Sequence, residues 1–285
     1  MLDKFFADIK LKYDLLPESY RKVAAYIAEN YKEIPFLPVT RLAKLIGVSD
    51  STVVKFCISF GFSGYTDFKK QISSYIQSEM TTYATLETNS AALNETANIL
   101  DQVCHCEQNN IAKTLEHPIN RANFEPLLEL IQNASNVYIL GFRSSAILAE
   151  YMALYLAQQK INASAVIPGI GAYVDKLCQM NDKDLLIAIN FSRYSTEVVK
   201  AIEVAVNKGI PCVLITDALN NPIYPKVKLV FYCEMRSFYY AASSVGALAL
   251  INTICTALSL RNKDAIKDYL RNLEELFEEF KTFYI

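Results

Sequence analysis

The sequence predicts an α/β protein with an all-helical N-terminal domain, followed by a three-layer α/β/α domain built on a five-stranded parallel sheet. Residues 1–78 carry apolar residues at helical spacing, as in Val23, Ala24 and Ile27, and no strand pattern. Beyond Arg121, short β-rich runs alternate with helical segments, and their continuous apolar character indicates strands that are buried on both faces. The predicted strands are Val137–Gly141, Ala163–Ile167, Asp184–Asn190, Pro211–Asp217 and Lys228–Glu234.

The length of 285 residues and the apolar share of 52% suit two domains. We place the helical domain at residues 1–78, a linker and connecting helix at 79–121, the sheet domain at 122–260 and a C-terminal helix at 261–285. Gln77–Asn98 is rich in Thr, Asn, Ser and Ala, and Ile99–Glu116 then resumes a helical pattern. The C-terminal helix, Asn262–Phe283, is amphipathic and should pack on another surface, such as a partner subunit. Its apolar stripe is Ile266, Tyr269, Leu270, Leu273, Leu276, Phe277 and Phe280.

Composition excludes several classes of protein. Seven scattered cysteines and the absence of a basic start followed by an apolar segment favour a reducing cytoplasm over secretion. Residues 1–80 hold 11 Lys/Arg against 9 Asp/Glu, and the remainder holds 17 against 21, an asymmetry that permits nucleic-acid binding without requiring it. Ser237–Leu260 has no charged residue and is long enough to span a bilayer. Several polar residues interrupt it, however, so we predict a helix that is buried on all sides within the protein and has no membrane contact.

The segment VTRLAKLIGVSDSTVVKFCISFGF has the spacing of a helix-turn-helix. A helix from about Thr40 to Ile46 meets Gly47, which can take the left-handed conformation of a tight turn. Ser49 then caps a second helix, in which Val53 and Phe56 face inward together with Ala43 of the first. An ordinary helical hairpin has the same spacing. On a DNA-reading helix, the outward residues that meet base edges and phosphates would be Ser49, Asp50, Ser51, Thr52, Val54 and Lys55, with Lys55 as the main contact.

A wider resemblance favours DNA binding. From Leu16 to about Lys70 the chain resembles the N-terminal domain of the RpiR family of bacterial regulators, on the pieces AKLIGVS, TVVKFC and GFSGY. This implies binding to a double-stranded operator, which we expect to be an inverted repeat read by a homodimer or tetramer. Where the family commonly has Arg in the recognition helix, this chain has Lys55, which neutralises phosphate but lacks the bidentate fork that reads guanine.

Two turns after predicted strands suit an anionic ligand, because each carries hydroxyls, an arginine and the start of a helix. The first contains Gly141, Arg143, Ser144 and Ser145, and the second contains Asn190, Ser192, Arg193, Ser195 and Thr196. Either turn alone would be explained by helix capping. Weaker candidates, which line the pocket or merely cap, are Thr216, Asp217, Ser237, Ser243 and Ser244.

Residues 122–260 resemble a sugar isomerase (SIS) domain, which follows the helix-turn-helix in the RpiR family and implies a phosphorylated sugar as effector. Many SIS domains have Ser-x-Ser-Gly-x-Thr at the second turn, where this chain has Asn190, Ser192, Arg193 and Ser195 at the four defined positions. The first turn has Arg143 where glycine is usual and Ser145 at the family serine. The two arginines indicate either a more anionic ligand or side chains that fill a pocket without a ligand. We favour retained anion binding, because an unpaired buried arginine would be costly.

The function predicted from these features is a transcriptional regulator of sugar metabolism genes, without catalytic residues, cofactor or metal. One alternative is a phosphosugar isomerase, for which His105 and His117 lie outside the predicted pocket and Glu197 is the carboxylate immediately beside the second turn. Another is a sugar-phosphate sensor that acts through protein contacts alone. Cys104-His105-Cys106 makes a poor tetrahedral metal site because the possible ligands are adjacent.

Overall fold

The computed structural model describes residues 2–79, 83, 85–86, 98–169, 172–219 and 223–283. The chain divides into two compact units, residues 1–88 and 89–285. The predicted change from an all-helical to an α/β region is confirmed. Most of the polar stretch Gln77–Asn98, which was predicted to be a domain junction, lies outside the described residues.

The first unit is helical throughout its described part. Two helices begin directly after prolines, Pro17 and Pro38, whose extended backbone and missing N–H suit the position that precedes a helix. Short 3-10 turns at Tyr13–Leu15 and Tyr31–Phe36 change the chain direction. The helices are α1 (Leu2–Lys12), α2 (Glu18–Asn30), α3 (Val39–Ile46), α4 (Asp50–Ser59) and α5 (Tyr65–Glu79).

An aromatic cluster forms the centre of the first core. The Phe5 ring lies 5.2 Å from that of Phe68 and 5.3 Å from that of Phe60, centroid to centroid, so α1 is packed onto α4 and α5. Phe56 and Phe68 are fully buried. Because each such ring removes a large apolar area from water, this cluster fixes the orientation of α4 within its unit.

The second unit is an α/β/α sandwich, as predicted. Its strands are β1 (Val137–Gly141), β2 (Ala163–Val166), β3 (Leu185–Ile189), β4 (Cys212–Thr216) and β5 (Leu229–Tyr232), of which the last four are shorter than predicted. Its helices are α6 (Ile99–Leu115), α7 (Pro118–Asn133), α8 (Ser144–Gln158), α9 (Ala172–Gln179), α10 (Thr196–Asn207), α11 (Val245–Arg261) and α12 (Lys263–Glu279).

The strands pair in the order β2-β1-β3-β4-β5, and every pair is parallel. Helices α7, α8 and α11 share one buried core with one face of the sheet, while α9 and α10 share another with the opposite face. The chain leaves β1 for β2 on one side and then returns to β3 on the other. The boundary between β1 and β3 is therefore a topological switch point, the place where open α/β sheets bind ligands beyond the carboxyl ends of their strands.

Helix α6, which was predicted as a connecting helix, is built into the second unit. It contacts α11 so closely that a Cβ atom on Gly246 would lie 2.6 Å from Thr114 Oγ1. Asn110, which is fully buried, donates to the carbonyl of Arg236 at 2.8 Å and accepts from its N–H at 3.1 Å. These two bonds satisfy the C=O and N–H groups of Arg236, which follows β5, so α6 is a structural part of the second unit.

Helix α11 corrects one prediction. It begins at Val245, not near Ser237, and it is not buried on all sides, because Asn252, Thr256 and Leu260 are exposed. Among the described residues no single helix is long and apolar enough to cross a membrane; Val245–Arg261 and Ile266–Glu279 satisfy that test only as a pair bent by 105°.

Candidate functional sites

The turn between α3 and α4 has the predicted geometry. Gly47 adopts a left-handed conformation, with φ 77° and ψ 39°, and its N–H donates to the carbonyl of Ala43 at 2.9 Å. Ala43, Val53 and Phe56 are buried between the two helices, as predicted. The turn therefore sets α4 at an angle to α3 and leaves its other face free.

The exposed face of α4 carries most of the predicted DNA-contacting residues, but Val54, which was predicted to face outward, is half-buried and packs against the core of the first unit. Ser49, Asp50, Ser51 and Lys55 are exposed, and Thr52 is half-buried. The Ser49 hydroxyl accepts from the Thr52 N–H at 3.2 Å, which makes it the N-cap of α4, and it lies 2.9 Å from the Ser51 hydroxyl. The Ser49 hydroxyl is therefore engaged by a backbone N–H group in the first turn of α4, whereas Lys55 lies in the middle of the exposed face.

Two further cations were not assigned from the sequence. Arg41 and Lys44 lie on α3 and are exposed. Helix α3 precedes the candidate recognition helix, and the first helix of such a pair crosses the DNA backbone when the second enters the major groove. Their position on the first helix of the motif was the signal that could have identified them.

The two predicted effector turns lie side by side. Gly141 at the end of β1 is in register with Ile189 at the end of β3, so both turns leave the sheet at the same level of the switch point. Each turn leads into a helix: α8 begins at Ser144 and α10 begins at Thr196. The N–H groups and positive dipole ends of two helices therefore start at one edge of the sheet.

The first turn is tight and well packed. A Cβ atom on Gly141 would lie 2.3 Å from the carbonyl oxygen of Ser145, so only glycine allows α8 to approach β1 this closely. Ser145 is buried, Ser144 is exposed, and the Ser145 N–H donates to the carbonyl of Phe142 at 3.1 Å. Arg143 is exposed and adopts φ 56° and ψ −127°, a conformation that residues with a Cβ atom rarely adopt.

The second turn is organised by side chains. Asn190 Oδ1 accepts from the Ser195 N–H at 3.2 Å, and Asn190 Nδ2 is a buried donor without a hydrogen-bond partner among the described residues. The Ser195 hydroxyl donates to Glu197 at 3.2 Å. Thr196 and Arg193 are exposed, and Arg193 has a positive φ of 68°. Arg143 and Arg193, the two residues expected from the sequence to stand where SIS domains usually have glycine, thus both have a positive φ, which glycine favours.

Asp217 has a role in the second turn that the sequence did not assign. Its carboxylate follows β4 and accepts from the Ser192 N–H at 2.8 Å and from the Ser192 hydroxyl. Burial raises the pKa of the Asp217 carboxyl. A carboxylate here fixes the turn but opposes an anion bound to Ser192, so the site is less purely cationic than the sequence predicted.

The exposed positions of Arg143 and Arg193 remove one of the reasons for expecting them to bind an anion. The expected cost of an unpaired buried arginine does not apply, because neither residue is buried. Neither side chain fills the interior of the domain, and both reach the solvent at the switch point.

Neither histidine belongs to these turns. His117 caps α7, where its ring nitrogen accepts from the Ile119 N–H at 3.3 Å, and its ring stacks on Tyr232. His105 lies on α6, in a groove lined also by Lys113, Glu234 and Arg236. The described residues contain no group of three or more His, Cys, Asp or Glu that could hold a metal ion.

Comparisons with known proteins agree with both units. Residues 4–79 match the family model of the rpiR-type helix-turn-helix domain, and residues 130–261 match that of the SIS domain. An uncharacterised HTH-type transcriptional regulator of Haemophilus influenzae is 24% identical over 215 residues, covering 74% of this chain and 73% of that protein. One of Caldanaerobacter subterraneus is 22% identical over 268 residues, covering 90% and 91%.

A solved structure has a similar fold over nearly the whole chain. The Vibrio vulnificus NanR protein, complexed with ManNAc-6P, matches with a TM-score of 0.63 and 22% identity, covering 96% of this chain and 98% of that one. A helix-turn-helix unit joined to an SIS domain defines a transcriptional regulator. The chain belongs to the RpiR family of such regulators, as the sequence predicted.

Proposed function

We propose that this protein is a homodimeric DNA-binding regulator of sugar metabolism genes whose SIS domain binds a phosphorylated sugar. The observation that carries the proposal is the pair of turns after β1 and β3. They bring hydroxyls, two helix N-termini and two exposed arginines to the same edge of the sheet. This combination supplies the charge-assisted hydrogen bonds that a phosphoryl group accepts.

The exposed face of α4 would enter the major groove of a duplex. Lys55 would contact a phosphate or a base edge, Asp50, Ser51 and Thr52 would lie along the bases, and Ser49 would hold the helix start. Arg41 and Lys44 would add backbone contacts from α3. A two-fold symmetric dimer presents two such faces, which suits an inverted-repeat operator.

Effector binding would use Ser144, Ser145 and Arg143 of the first turn with Asn190, Ser192, Arg193, Ser195 and Thr196 of the second. The Nδ2 group of Asn190 supports a ligand here, because a buried donor without a partner is costly unless a bound molecule satisfies it. The ligand in the NanR structure, ManNAc-6P, belongs to the same chemical class. The phosphate would supply most of the affinity.

The contacts favour a binding role over an isomerase. An isomerase requires a general base free to move a proton over the sugar. At the two turns, the carboxylate of Asp217 is bonded to Ser192 and that of Glu197 to Ser195. His117 is engaged as a helix cap. The conversion of effector binding into altered DNA binding requires only a shift between dimer conformations.

Pairing of two copies is supported by an apolar surface on α8 and α11. Ile147, Leu154 and Leu260 are more than half exposed. Polar residues such as Glu150, Asn252 and Thr256 lie among these apolar side chains, a mixture that suits a surface covered by another subunit. A second copy of the chain would remove this surface from water.

The decisive experiment is a thermal-shift panel of phosphorylated sugars, each beside its unphosphorylated parent. A ligand at a hundred times its Kd should stabilise the folded state by about 2.7 kcal/mol, which corresponds to several degrees in Tm. Arg143→Ala and Arg193→Ala should each weaken binding by about 2 kcal/mol and blunt the effector's influence on operator binding, while ligand-free DNA affinity stays the same. Lys183→Ala, at the opposite edge of the sheet, is the control. No shift across the panel, with both arginine variants responding to the natural inducer like wild type, would exclude the proposed pocket.

A further inference from the structure

Helix α12 carries an apolar stripe that remains largely uncovered in a single copy of the chain. Leu270 and Leu276 are 44% and 49% exposed, and Phe280 and Phe283, just beyond the helix, are 75% and 58% exposed. Ile266, Leu273 and Phe277 are half-buried. Alternating steps of three and four residues along this stripe are the spacing of a helix that pairs with another helix.

The charges of α12 are separated along its length. Its first half carries the cations Lys263, Lys267 and Arg271, together with Asp264 and Asp268. Asp264 lies 3.6 Å from Lys267, and Asp268 lies 3.4 Å from Arg271, so local pairs neutralise both acids.

The second half is acidic. It carries four glutamates and no cation, and none of the four forms an ion pair within the part of the chain that the structure describes: Glu274, Glu275, Glu278 and Glu279. The helix therefore has a weakly basic start and a strongly acidic end.

The acidic end of α12 opposes the helix's own dipole. An isolated helix is stabilised by acids in its first turn and by cations in its last turn. Here the first turn holds both Lys263 and Asp264 and is neutral, whereas the last turn holds Glu278 and Glu279 and no cation. A charge order that costs stability within one helix is explained if a partner helix compensates it.

We propose that α12 pairs with α12 of a second copy of this chain in antiparallel orientation, as part of the homodimer in the proposed function, on which this inference rests. In that orientation the basic start of each helix lies beside the acidic end of the other, and the two dipoles also oppose one another. A parallel pair would bring eight glutamates together. A lipid surface is disfavoured because the polar face lacks the excess of Lys and Arg that anionic headgroups attract.

The first test uses charge reversal in the full chain. The acidic variant carries Lys263→Glu, Lys267→Glu and Arg271→Glu, and the basic variant carries Glu274→Lys, Glu275→Lys, Glu278→Lys and Glu279→Lys. Each variant alone should lose α12 pairing through like-charge repulsion, and an equimolar mixture should regain it. All seven positions are exposed, so the fold should persist, which far-UV circular dichroism checks.

Pairing is read out by zero-length carbodiimide cross-linking in a mixture of ¹⁴N- and ¹⁵N-labelled chains. In wild type, hybrid-mass peptides should join Lys263 or Lys267 of one chain to Glu275 or Glu279 of the other, and 1 M salt should reduce them severalfold. Mixed variants should give at least tenfold more inter-chain α12 product than the same mixture that also carries Leu276→Ser in both chains, a comparison in which the reactive amines and carboxylates are unchanged. Leu276→Ser should abolish the product, whereas Leu100→Ser, at an exposed leucine on α6, should not.

Two results would overturn the proposal. One is a set of α12 cross-links that join only residues of the same chain, which would mean that the helix docks on its own subunit. The other is a mixture of the two variants that gives as much product with Leu276→Ser in both chains as without it. A chain that remains dimeric, binds operator DNA and responds to a phosphosugar, yet shows either result, overturns the α12 pairing alone and leaves the proposed function standing.

Discussion

Three positive-φ residues at the two candidate sites can be compared directly. Gly47 between α3 and α4 has φ 77°, and Arg143 and Arg193 at the effector turns have φ 56° and φ 68°. Glycine adopts such angles freely, whereas a residue with a Cβ atom incurs a cost of about 1–2 kcal/mol. The helix-turn-helix thus contains the residue that its backbone favours, and the effector site does not.

The two kinds of position differ in whether a side chain is needed. At Gly47 only the direction of the chain matters, because a Cβ atom there would meet nothing within 4 Å. At Arg143 and Arg193 the strained backbone is retained although arginine disfavours it, and strain of this kind collects at functional sites. The comparison supports a role for the guanidinium groups themselves.

The largest effect is expected on the helix-turn-helix side. Lys55→Ala should reduce operator affinity, since Lys55 extends from the exposed face of α4. If Lys55 reads a base, about 1–3 kcal/mol of specificity should vanish; if it contacts only phosphate, affinity should fall for all sequences and the salt slope should decrease by about one. Fluorescence anisotropy titrations with operator and scrambled duplexes at several salt concentrations distinguish these outcomes.

The matched control for this experiment is Lys22→Ala on α2, where Lys22 pairs with Glu18 at 2.9 Å. It should leave operator affinity within twofold of wild type. Wild-type operator affinity in the Lys55 variant would mean that α4 is not the helix that contacts DNA. The comparison of the two sites would then no longer include a DNA-binding site.

The helix-turn-helix could be predicted almost completely from the sequence because its determinants are local. Gly47, the Ser49 cap and the buried Val53 and Phe56 lie within ten residues of one another, and each acts through backbone preference or helical spacing. The parallel strands were predicted for a similar reason, since burial on both faces leaves continuous apolar runs such as LLIAI and CVLIT.

The effector site was only partly predictable, because its contacts join distant segments. The bond between Ser192 and Asp217 spans 25 residues, and nothing in either local sequence specifies it. The hydrogen bonds between Asn110 and the backbone of Arg236 span 126 residues, so the packing of α6 into the second unit was also not predicted. The exposure of the two arginines likewise depends on the packing around the switch point.

A second prediction concerns the cost of the Gly47 conformation. Gly47→Ala should destabilise the α3–α4 region by about 1–2 kcal/mol, because the added Cβ meets open space and only the backbone conformation is penalised. Gly47→Asn should destabilise the same region by less than half of this amount, since asparagine tolerates the left-handed region. Hydrogen exchange at buried α4 amides, such as those of Val53 and Phe56, measures the local free energy of opening. Equal protection in all three proteins would show that the turn tolerates any residue.

A third prediction concerns the negative charge in the second turn. Asp217→Asn should strengthen binding of a phosphorylated sugar by about 1 kcal/mol, roughly fivefold, because it removes a carboxylate that opposes the bound anion. Because burial raises the pKa of Asp217, wild-type affinity should rise as pH falls through that pKa, whereas the variant should show no such rise. Calorimetry with a sugar sulfate, whose charge does not change with pH, isolates this effect, and Asp182→Asn at the opposite sheet edge is the control. Weaker binding in Asp217→Asn would instead make this carboxylate an acceptor for the sugar.

The smallest expected effect separates backbone strain from side-chain function at Arg193. Arg193→Ala and Arg193→Gly both remove the guanidinium group and should weaken binding of the phosphorylated ligand equally. They differ in the backbone, because alanine keeps the Cβ atom that disfavours φ 68° and glycine does not. The glycine variant should therefore be the more stable of the two by about 0.5–1 kcal/mol, since relief of strain exceeds the extra freedom that glycine gains in the unfolded chain. Hydrogen exchange at the buried β3 amides of Ile187 and Ala188 reports the difference for the second unit. Full ligand affinity in both variants would remove the functional reason for arginine, and an alanine variant as stable as the glycine variant would show that this turn stores no strain.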